Sequence, residues 1–208
     1  RDTVSDIVPS GDIAGNTMTV EEANLTVSLS AIPTSKTYVT GESGVDVVAF
    51  VFTATEASDL EITDLTFDGY ISSTSSGFVK KTNDHRDLAD DISAVYLYDG
   101  DTQIDGTEIV NTSGEVVFDS LSWIIPAGES KTLLVNADIS TTAPSASTDY
   151  FAFDIDDLAV DITAYDSDGN TVTATDASLN ETPTIYQAIS SGGSLDEAAA
   201  SDQPDADI

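Results

Sequence analysis

Apolar and polar residues alternate over most of the chain. The stretch NLTVSLSA places Leu25, Val27 and Leu29 on one face at a period of two residues. The stretch VDVVAFVFTA, residues 45–54, carries apolar side chains on both faces. Because successive side chains of a β-strand point to opposite faces, the first stretch predicts a half-buried strand and the second a strand buried on both sides.

The apolar phase slips once, near Thr63. In DLEITDLTF the apolar positions are Leu60 and Ile62, and then Leu65 and Phe67. A slip of one residue turns every later side chain to the opposite face of a sheet. An extra, unpaired residue restores the phase, so we predict a β-bulge at this point.

The rest of the middle of the chain consists of short apolar runs separated by Gly, Asp and Pro, the spacing typical of a β-sandwich. DSDGN, residues 166–170, predicts a hairpin, since Asp168 and Gly169 suit the positive φ angles of a primed turn. No amphipathic helix of useful length is evident, so the predicted fold class is all-β, an antiparallel β-sandwich. Further strands are predicted at residues 92–98, 115–119, 121–125, 131–137, 150–155, 159–164, 171–174 and 184–189.

The two ends of the chain differ from its middle. Residues 1–21 contain scattered apolar positions among Gly, Pro and acidic residues, too few for a separate core. We interpret them as an extended N-terminal arm. Residues 22–188 form the predicted sandwich domain, with an insertion at 68–91. Residues 189–208 form an acidic C-terminal tail that begins with a flexible Gly-Ser stretch.

The charge of the chain restricts its partners. Thirty-eight acidic residues against six Lys and Arg give a net charge of −32 at pH 7. This charge repels phosphates and anionic lipids, so neither nucleic acid nor a membrane surface is an expected partner, whereas cations are. Salt screens such self-repulsion, and we expect salt or divalent cations to stabilise the fold.

The composition also bears on localisation. No segment approaches the about 20 apolar residues that a membrane span needs. The chain has no cysteine, and it opens with Arg1 instead of Met. We interpret it as a processed, secreted chain at the cell surface, although a fragment cut from a longer protein fits the same observation.

Residues 93–140 resemble a known type of module. SAVYLYDGDTQIDGTEI and GEVVFDSLSWIIPAGESKTLLVNADIS are similar to immunoglobulin-like sandwich modules in long surface proteins of uncultivated bacteria and archaea. The matching residues are the LYDG strand end at 97–100, Phe118 and Leu121, and the turn and strand at 125–140. The resemblance implies an immunoglobulin-like fold and a non-catalytic extracellular structural role.

Nothing in the sequence predicts an enzyme. The single histidine, His85, lies in a polar loop, and there is no cysteine and no G-x-S-x-G elbow. Paired carboxylates of the kind used by glycoside hydrolases cannot be identified by counting in so acidic a chain. We therefore expect a non-catalytic protein.

Calcium is the one cofactor that the acidic residues suggest, because Ca²⁺ takes six to eight hard oxygen ligands. The alternative is that Asp and Gly only make turns, since Asp bonds its own backbone. The candidate ligands form one cluster after the LYDG strand and two further along the chain: Asp99, Asp101 and Asp105; Asp154 and Asp156; Asp166 and Asp168.

Two kinds of surface feature remain. N-x-S/T sequons at Asn24, Asn111 and Asn180 are candidate glycosylation sites. Lys80, Lys81 and Arg86 are three of the six basic residues. They could dock the acidic tail of a neighbouring copy, or form an internal ion pair with Asp87, Asp90 or Asp91.

We consider two functions. The first is a subunit of a cell-surface filament or surface layer, in which copies of the chain join by strand exchange and Met18 and Val20 of the arm insert into a neighbour. The alternative to exchange is that residues 17–31 simply form the first strand pair of their own sandwich. The second function is a glycan-binding or adhesive module. Its candidate aromatic residues are Tyr70, Tyr96, Tyr98 and Trp123, although Trp123 in SWII fits a core position.

Overall fold

The computed structural model describes residues 21–80, 82–83, 86–143, 148–176, 179 and 182–191. In chain order the strands and one-turn helices are β1 (Leu25–Leu29), β2 (Thr37–Val39), β3 (Val45–Ala54), β4 (Leu60–Ser72), β5 (Val79–Lys80), β6 (Thr82–Asn83), β7 (Arg86–Asp87), α1 (Leu88–Asp91), β8 (Ile92–Asp99), β9 (Thr102–Glu108), β10 (Glu115–Phe118), β11 (Trp123–Ile125), β12 (Ser130–Ile139), β13 (Thr148–Asp154), α2 (Leu158–Asp161), β14 (Ile162–Asp166), β15 (Ala174–Asp176) and β16 (Gln187–Ser190). No helix in these ranges is long and apolar enough to cross a membrane.

Two sheets pack face to face as a β-sandwich. The six-stranded sheet has the order β15-β1-β3-β12-β8-β9. The eight-stranded sheet has the order β10-β4-β13-β16-β2, with β5, β11 and β14 also paired to β4. The all-β prediction is confirmed. The prediction of a purely antiparallel sandwich is wrong at two edges, because β15 runs parallel to β1 and β2 runs parallel to β16.

The core consists of apolar side chains from both sheets. Phe50 of β3 lies 5.7 Å from Phe67 of β4 between ring centroids. Phe52 meets Trp123 edge to face at 5.1 Å. Trp123 is 4% exposed, so it fills the core, as its sequence context suggested. Such aromatic pairs join the two sheets and add to the free energy gained from area burial alone.

The predicted bulge in β4 is confirmed. Strand β14 pairs Thr163 with Asp64 and Ala164 with Ile62, so Thr63 is left without a partner in that ladder. Leu60, Ile62, Leu65 and Phe67 are all fully buried as a result. The extra residue therefore lets the apolar side chains in both halves of β4 face the same core.

Several boundaries differ from the predictions. Strand β4 continues to Ser72, so the first five residues of the predicted 68–91 insertion belong to the central strand of the sheet. Residues 159–161 of the predicted 159–164 strand belong instead to α2 (Leu158–Asp161), whose N-cap Asp157 accepts a hydrogen bond from the backbone N–H of Ala159. The hairpin at 166–170 is confirmed. The prediction of a primed turn with positive φ at both Asp168 and Gly169 is wrong. Gly169 has a φ of 82°, but Asp168 is not among the residues with positive φ.

Candidate functional site

The strand register places two buried carboxyl groups next to each other in the eight-stranded sheet. Asp68 of β4 lies directly opposite Asp154 of β13, and the two residues are 5% and 6% exposed. Burial disfavours the charged form, and neighbouring acids add to the effect. Burial, followed by the charges of Asp156 and Asp68, raises the pKa of Asp154 to about 7. Burial also raises the pKa of Asp68, against the lowering influence of Lys80.

Lys80 provides the positive charge next to this pair. Strand β5 pairs with β4 and places the Nζ atom of Lys80 2.8 Å from Asp68 Oδ1 and 2.7 Å from Asp156 Oδ2. The Tyr70 hydroxyl donates to Asp156 at 2.6 to 2.8 Å. Burial, and then the hydrogen bond to Asp156, raise the pKa of Tyr70. Lys80 and Tyr70 thus hold Asp156, which follows β13, against the central strand.

We call these residues, together with Asp161 nearby, the acidic cluster. It lies beside a shallow cleft of about 390 Å³ that includes Asp156, Asp157 and Asp176 in its lining. Its carboxyl groups, phenol and ammonium group can exchange protons or hold a cation, and the Tyr70 hydroxyl donates to the Asp156 carboxylate. The cluster consists of Asp68, Tyr70, Lys80, Asp154, Asp156 and Asp161.

The acidic cluster contains the candidate calcium ligands Asp154 and Asp156. Within the described ranges, no three acidic or histidine side chains converge in a group that could hold a metal ion. Lys80 also occupies the position from which a cation would neutralise Asp68 and Asp156. A calcium site at these residues stays a prediction.

Replacing Lys80 by Met tests how much the fold depends on this ammonium group. We expect the free energy of unfolding to fall by about 1 to 3 kcal/mol near pH 8, because Asp68 and Asp156 lose their cation, although the partial exposure of Lys80 limits the loss. Near pH 5 the loss should shrink, since Asp68 has a raised pKa and takes up a proton more readily than an ordinary carboxyl group. Urea unfolding at the two pH values measures both effects.

Lys36→Met is the matched control for that experiment. Lys36 is exposed, and the structure gives it no ion pair within the described part of the chain. Removing its charge raises the net negative charge by the same amount without touching the acidic cluster. Equal destabilisation by the two substitutions would show that Lys80 acts only through net charge.

The first calcium candidates, after the LYDG strand, differ in their contacts, and a calcium site at these residues stays a prediction. Asp99 accepts hydrogen bonds from the Trp123 indole N–H at 3.0 Å and from Lys131 Nζ at 2.7 Å. Partial burial opposes its ionisation, but the hydrogen bonds from Lys131 and Trp123 outweigh it and lower the pKa of Asp99. Asp105 Oδ1 accepts from the backbone N–H of Gly106, and Asp101 is exposed. The turn after β8 is therefore stabilised by an internal ion pair.

The third calcium cluster organises a turn. Asp166 Oδ1 accepts from the backbone N–H groups of Asp168 and Asn170. The Asn170 side chain donates to both oxygens of Asp166, and this side-chain hydrogen bond is the main reason that the pKa of Asp166 is lowered. The bonding is that of an Asx turn, in which the carboxylate satisfies the backbone of the hairpin.

The three sequons differ in their surroundings. Asn24 is exposed just before β1. Asn111 Oδ1 accepts from the backbone N–H groups of Ser113 and Glu115, and its Nδ2 donates to Glu115 Oε2 at 3.2 Å. The amide nitrogen that a glycan would use is thus engaged in closing a tight loop. Asn180 lies outside the described residues.

The predicted contacts between copies fall mostly outside the described residues. Met18, Val20 and Lys81 lie outside them, as does His85, and only the backbone of Arg86 is described, in β7. The side chain of Lys80 takes the internal alternative, although its partners are not the Asp87, Asp90 or Asp91 expected from the sequence.

The candidate aromatic residues for a glycan surface separate into two groups. Tyr70 and Trp123 are buried at 6% and 4% exposure. Tyr96 and Tyr98 alternate with buried Val95 and Leu97 and lie on the outer face of the six-stranded sheet, where the Tyr96 hydroxyl donates to Asp138.

A different group of aromatic residues was missed by the sequence analysis. Phe78, Tyr150 and Tyr186 come from three distant segments and meet on the outer face of the eight-stranded sheet. No local pattern connects them, because β13, β16 and the loop before β5 become neighbours only in the folded chain.

Comparisons with known proteins give no family. No protein-family model matches the sequence, and no curated protein matches it. The solved structures similar to the chain include the seventh ScaB type I cohesin of Pseudobacteroides cellulosolvens, at 10% identity and a TM-score of 0.31, covering 80% of this chain and 91% of the cohesin. Another is a family 123 glycoside hydrolase of Clostridium perfringens, at 11% identity and a TM-score of 0.33, where the match covers 80% of this chain and 27% of the hydrolase.

A third similar structure is BslA, described as a bacterial hydrophobin, at 13% identity and a TM-score of 0.23, covering 83% of this chain and 94% of that one. TM-scores this low do not establish a shared fold. The sandwich assignment therefore depends on the strand pairing of this chain. The β-sandwich implied by the resemblance to bacterial and archaeal surface modules is present, while the source of the protein is not addressed by these structures.

Proposed function

We propose that this protein is a non-catalytic, secreted structural module, a subunit of a cell-surface filament or surface layer in which each copy donates its N-terminal segment to a neighbouring sandwich. The observation that carries the proposal is the short parallel strand at the edge of the six-stranded sheet. There β15 pairs with three of the five residues of β1, from Leu25 to Val27. A donated strand could extend this edge with main-chain hydrogen bonds.

Two other sheet edges, at β9 and β2, carry features that discourage strand addition. Strand β9 has two irregularities in its pairing with β8, and Thr107 within it has a φ of 73°. At β2 the backbone N–H of Val39 donates to the Glu42 carboxylate. Bulges and capped backbone groups protect edges from further pairing. At β15, by contrast, the three-residue pairing with β1 has no register shift, and Thr175 and Asp176 are exposed, which favours this edge as the acceptor.

Charge sets a condition on this assembly. Residues 1–21 carry Arg1, three aspartates and Glu21, a net charge of 1 − 4 = −3, in a chain of net charge −32. Two of the described lysines, Lys80 and Lys131, are engaged in internal ion pairs, so the outside of the sandwich is strongly anionic. The segment and a neighbouring sandwich therefore repel each other, and assembly should require salt or divalent cations to screen their charges.

Electron microscopy of the full chain tests this proposal. In about 2 M NaCl, where the Debye length is below about 3 Å, we expect filaments or sheets. A variant that lacks residues 1–21 should stay monomeric while keeping the unfolding transition of the sandwich. Monomers of the full chain at high salt and with added Ca²⁺ would contradict the proposal, as would assembly that survives the deletion.

A further inference from the structure

The outer face of the eight-stranded sheet carries three aromatic rings that the proposed assembly does not use. Tyr150 lies on β13 opposite Ser72 and Ala188. Tyr186 immediately precedes β16, and Phe78 immediately precedes β5. The ring centroids of Phe78 and Tyr186 are 5.4 Å apart, and those of Tyr150 and Tyr186 are 6.0 Å apart. We call these three residues the aromatic patch.

The aromatic patch is not part of the core. Tyr150 stands between Asp149 and Phe151, which are both fully buried, so its ring points away from the interior. Phe78, Tyr150 and Tyr186 are each half-buried. Buried tyrosine hydroxyls normally find a partner. Within the described residues, the hydroxyls of Tyr150 and Tyr186 have none, and each remains able to donate and accept a hydrogen bond.

The surroundings of the patch are rich in hydroxyl groups. In the loop that follows β4, the Ser72 and Thr74 hydroxyls both donate to the Ser76 carbonyl. The exposed side chain of Val79 adds apolar surface next to Phe78. Asp149, the nearest acid along β13, faces the interior. The three rings of the patch are themselves uncharged, on a molecule of net charge −32.

We propose that the aromatic patch binds a neutral saccharide. A sugar ring presents C–H groups on its faces and hydroxyls at its edge, which matches aromatic rings bordered by the hydroxyls of Tyr150 and Tyr186. The net charge of −32 repels acidic ligands, so uronic acids and sulfated glycans are not expected ligands. An apolar protein segment is the competing occupant, but it would leave the two tyrosine hydroxyls without partners.

Affinity electrophoresis of the full chain, in gels that contain neutral polysaccharides, tests the proposal. The probes are a glucan, a xylan, a mannan, a galactan and a soluble chitin derivative. We expect retardation by at least one of them and none by an alginate control. Tyr186→Ala should weaken that interaction about tenfold or more, because Tyr186 contacts both other rings. Tyr186→Phe, which keeps the ring, should weaken it less.

Tyr98→Ala is the matched control, since it removes a partly exposed tyrosine from the opposite sheet. It should leave the retardation unchanged, and thermal unfolding should show that each variant folds. Absence of retardation by every neutral polysaccharide would overturn the proposal. Equal retardation of Tyr186→Ala and the parent protein would overturn it too. If substitution at the patch abolishes self-association in light scattering and no polysaccharide binds, the patch is a protein interface and the saccharide proposal is wrong.

Discussion

Deletion of Thr63 is expected to abolish cooperative folding of the sandwich. Thr63 is the extra residue that lets Leu60 and Ile62 face the same core as Leu65 and Phe67. Without it, one half of β4 must turn its apolar side chains to solvent. Removing a single large side chain from a core costs about 2 to 5 kcal/mol, and here two such side chains leave together. That loss of about 4 to 10 kcal/mol is comparable with the about 5 to 15 kcal/mol that a typical domain has available.

Thr63→Ala is the control for the deletion. It keeps the length of β4 and the backbone carbonyl of residue 63, which accepts a hydrogen bond from Leu121 N–H. It removes a methyl group and a hydroxyl that donates to Asp64, so we expect a loss of about 1 kcal/mol. Fluorescence of the single tryptophan, Trp123, reports the state of the core in both variants. An unfolding midpoint of the deletion variant equal to that of Thr63→Ala would show that the bulge is dispensable.

Asp154→Asn is expected to stabilise the protein near pH 8 by about 2 to 4 kcal/mol. The carboxyl group of Asp154 has a pKa of about 7 in the folded chain, against an ordinary value of 3.8. Between these values the folded state holds a proton that the unfolded state has released. Stability therefore falls as the pH rises from about 4 to about 7, and above that range the full cost of the buried charge is present. Asparagine carries no charge to bury, and its amide can donate to a neighbouring carboxylate.

Urea unfolding of Asp154→Asn and the parent protein from about pH 4 to pH 8 measures this effect. The difference in unfolding free energy should be near zero at about pH 4 and grow with pH. Asp68 and Asp161 also have raised pKa values and add to the slope of both proteins, so the difference between the proteins isolates Asp154. Asp101→Asn, at an exposed position, is the control for net charge. A pH-independent difference, or the same difference for both substitutions, would contradict the assignment.

The sequence predicted those parts of the fold that local patterns determine. Strand β3, the bulge at Thr63 and the hairpin at 166–170 follow from the spacing of apolar residues and from Asp-Gly turn chemistry, and all three are present. The strands β2 and β15 were not located correctly, because each has three residues and is held by parallel pairing to a distant strand. Three residues are too few for a period of two to be visible.

The contacts within the acidic cluster could not be predicted from local patterns either. Asp154 and Asp156 were selected from their spacing, but Asp68 was not, since its importance arises from lying opposite Asp154 in the β4–β13 register. Lys80 was identified as one of a few basic residues, while its partners depend on how β5 folds back on β4. Register between strands far apart in the chain is set by the whole core. The sequence analysis therefore identified Asp154, Asp156 and Lys80 but could not predict their contacts.

A mixing experiment with single cysteines tests most directly whether the N-terminal segment acts between copies. The chain has no cysteine of its own, so a Met18→Cys protein and a Thr173→Cys protein, the latter changed beside β15, can form a mixed disulfide only if one copy reaches the other. We predict disulfide-linked dimers in an oxidised mixture at about 2 M NaCl. We predict background levels when Thr112→Cys, in the loop before β10, replaces Thr173→Cys. If the mixture gives no dimers, while a single chain with both Met18→Cys and Thr173→Cys closes a disulfide within the monomer, the segment belongs to its own sandwich and strand exchange is contradicted.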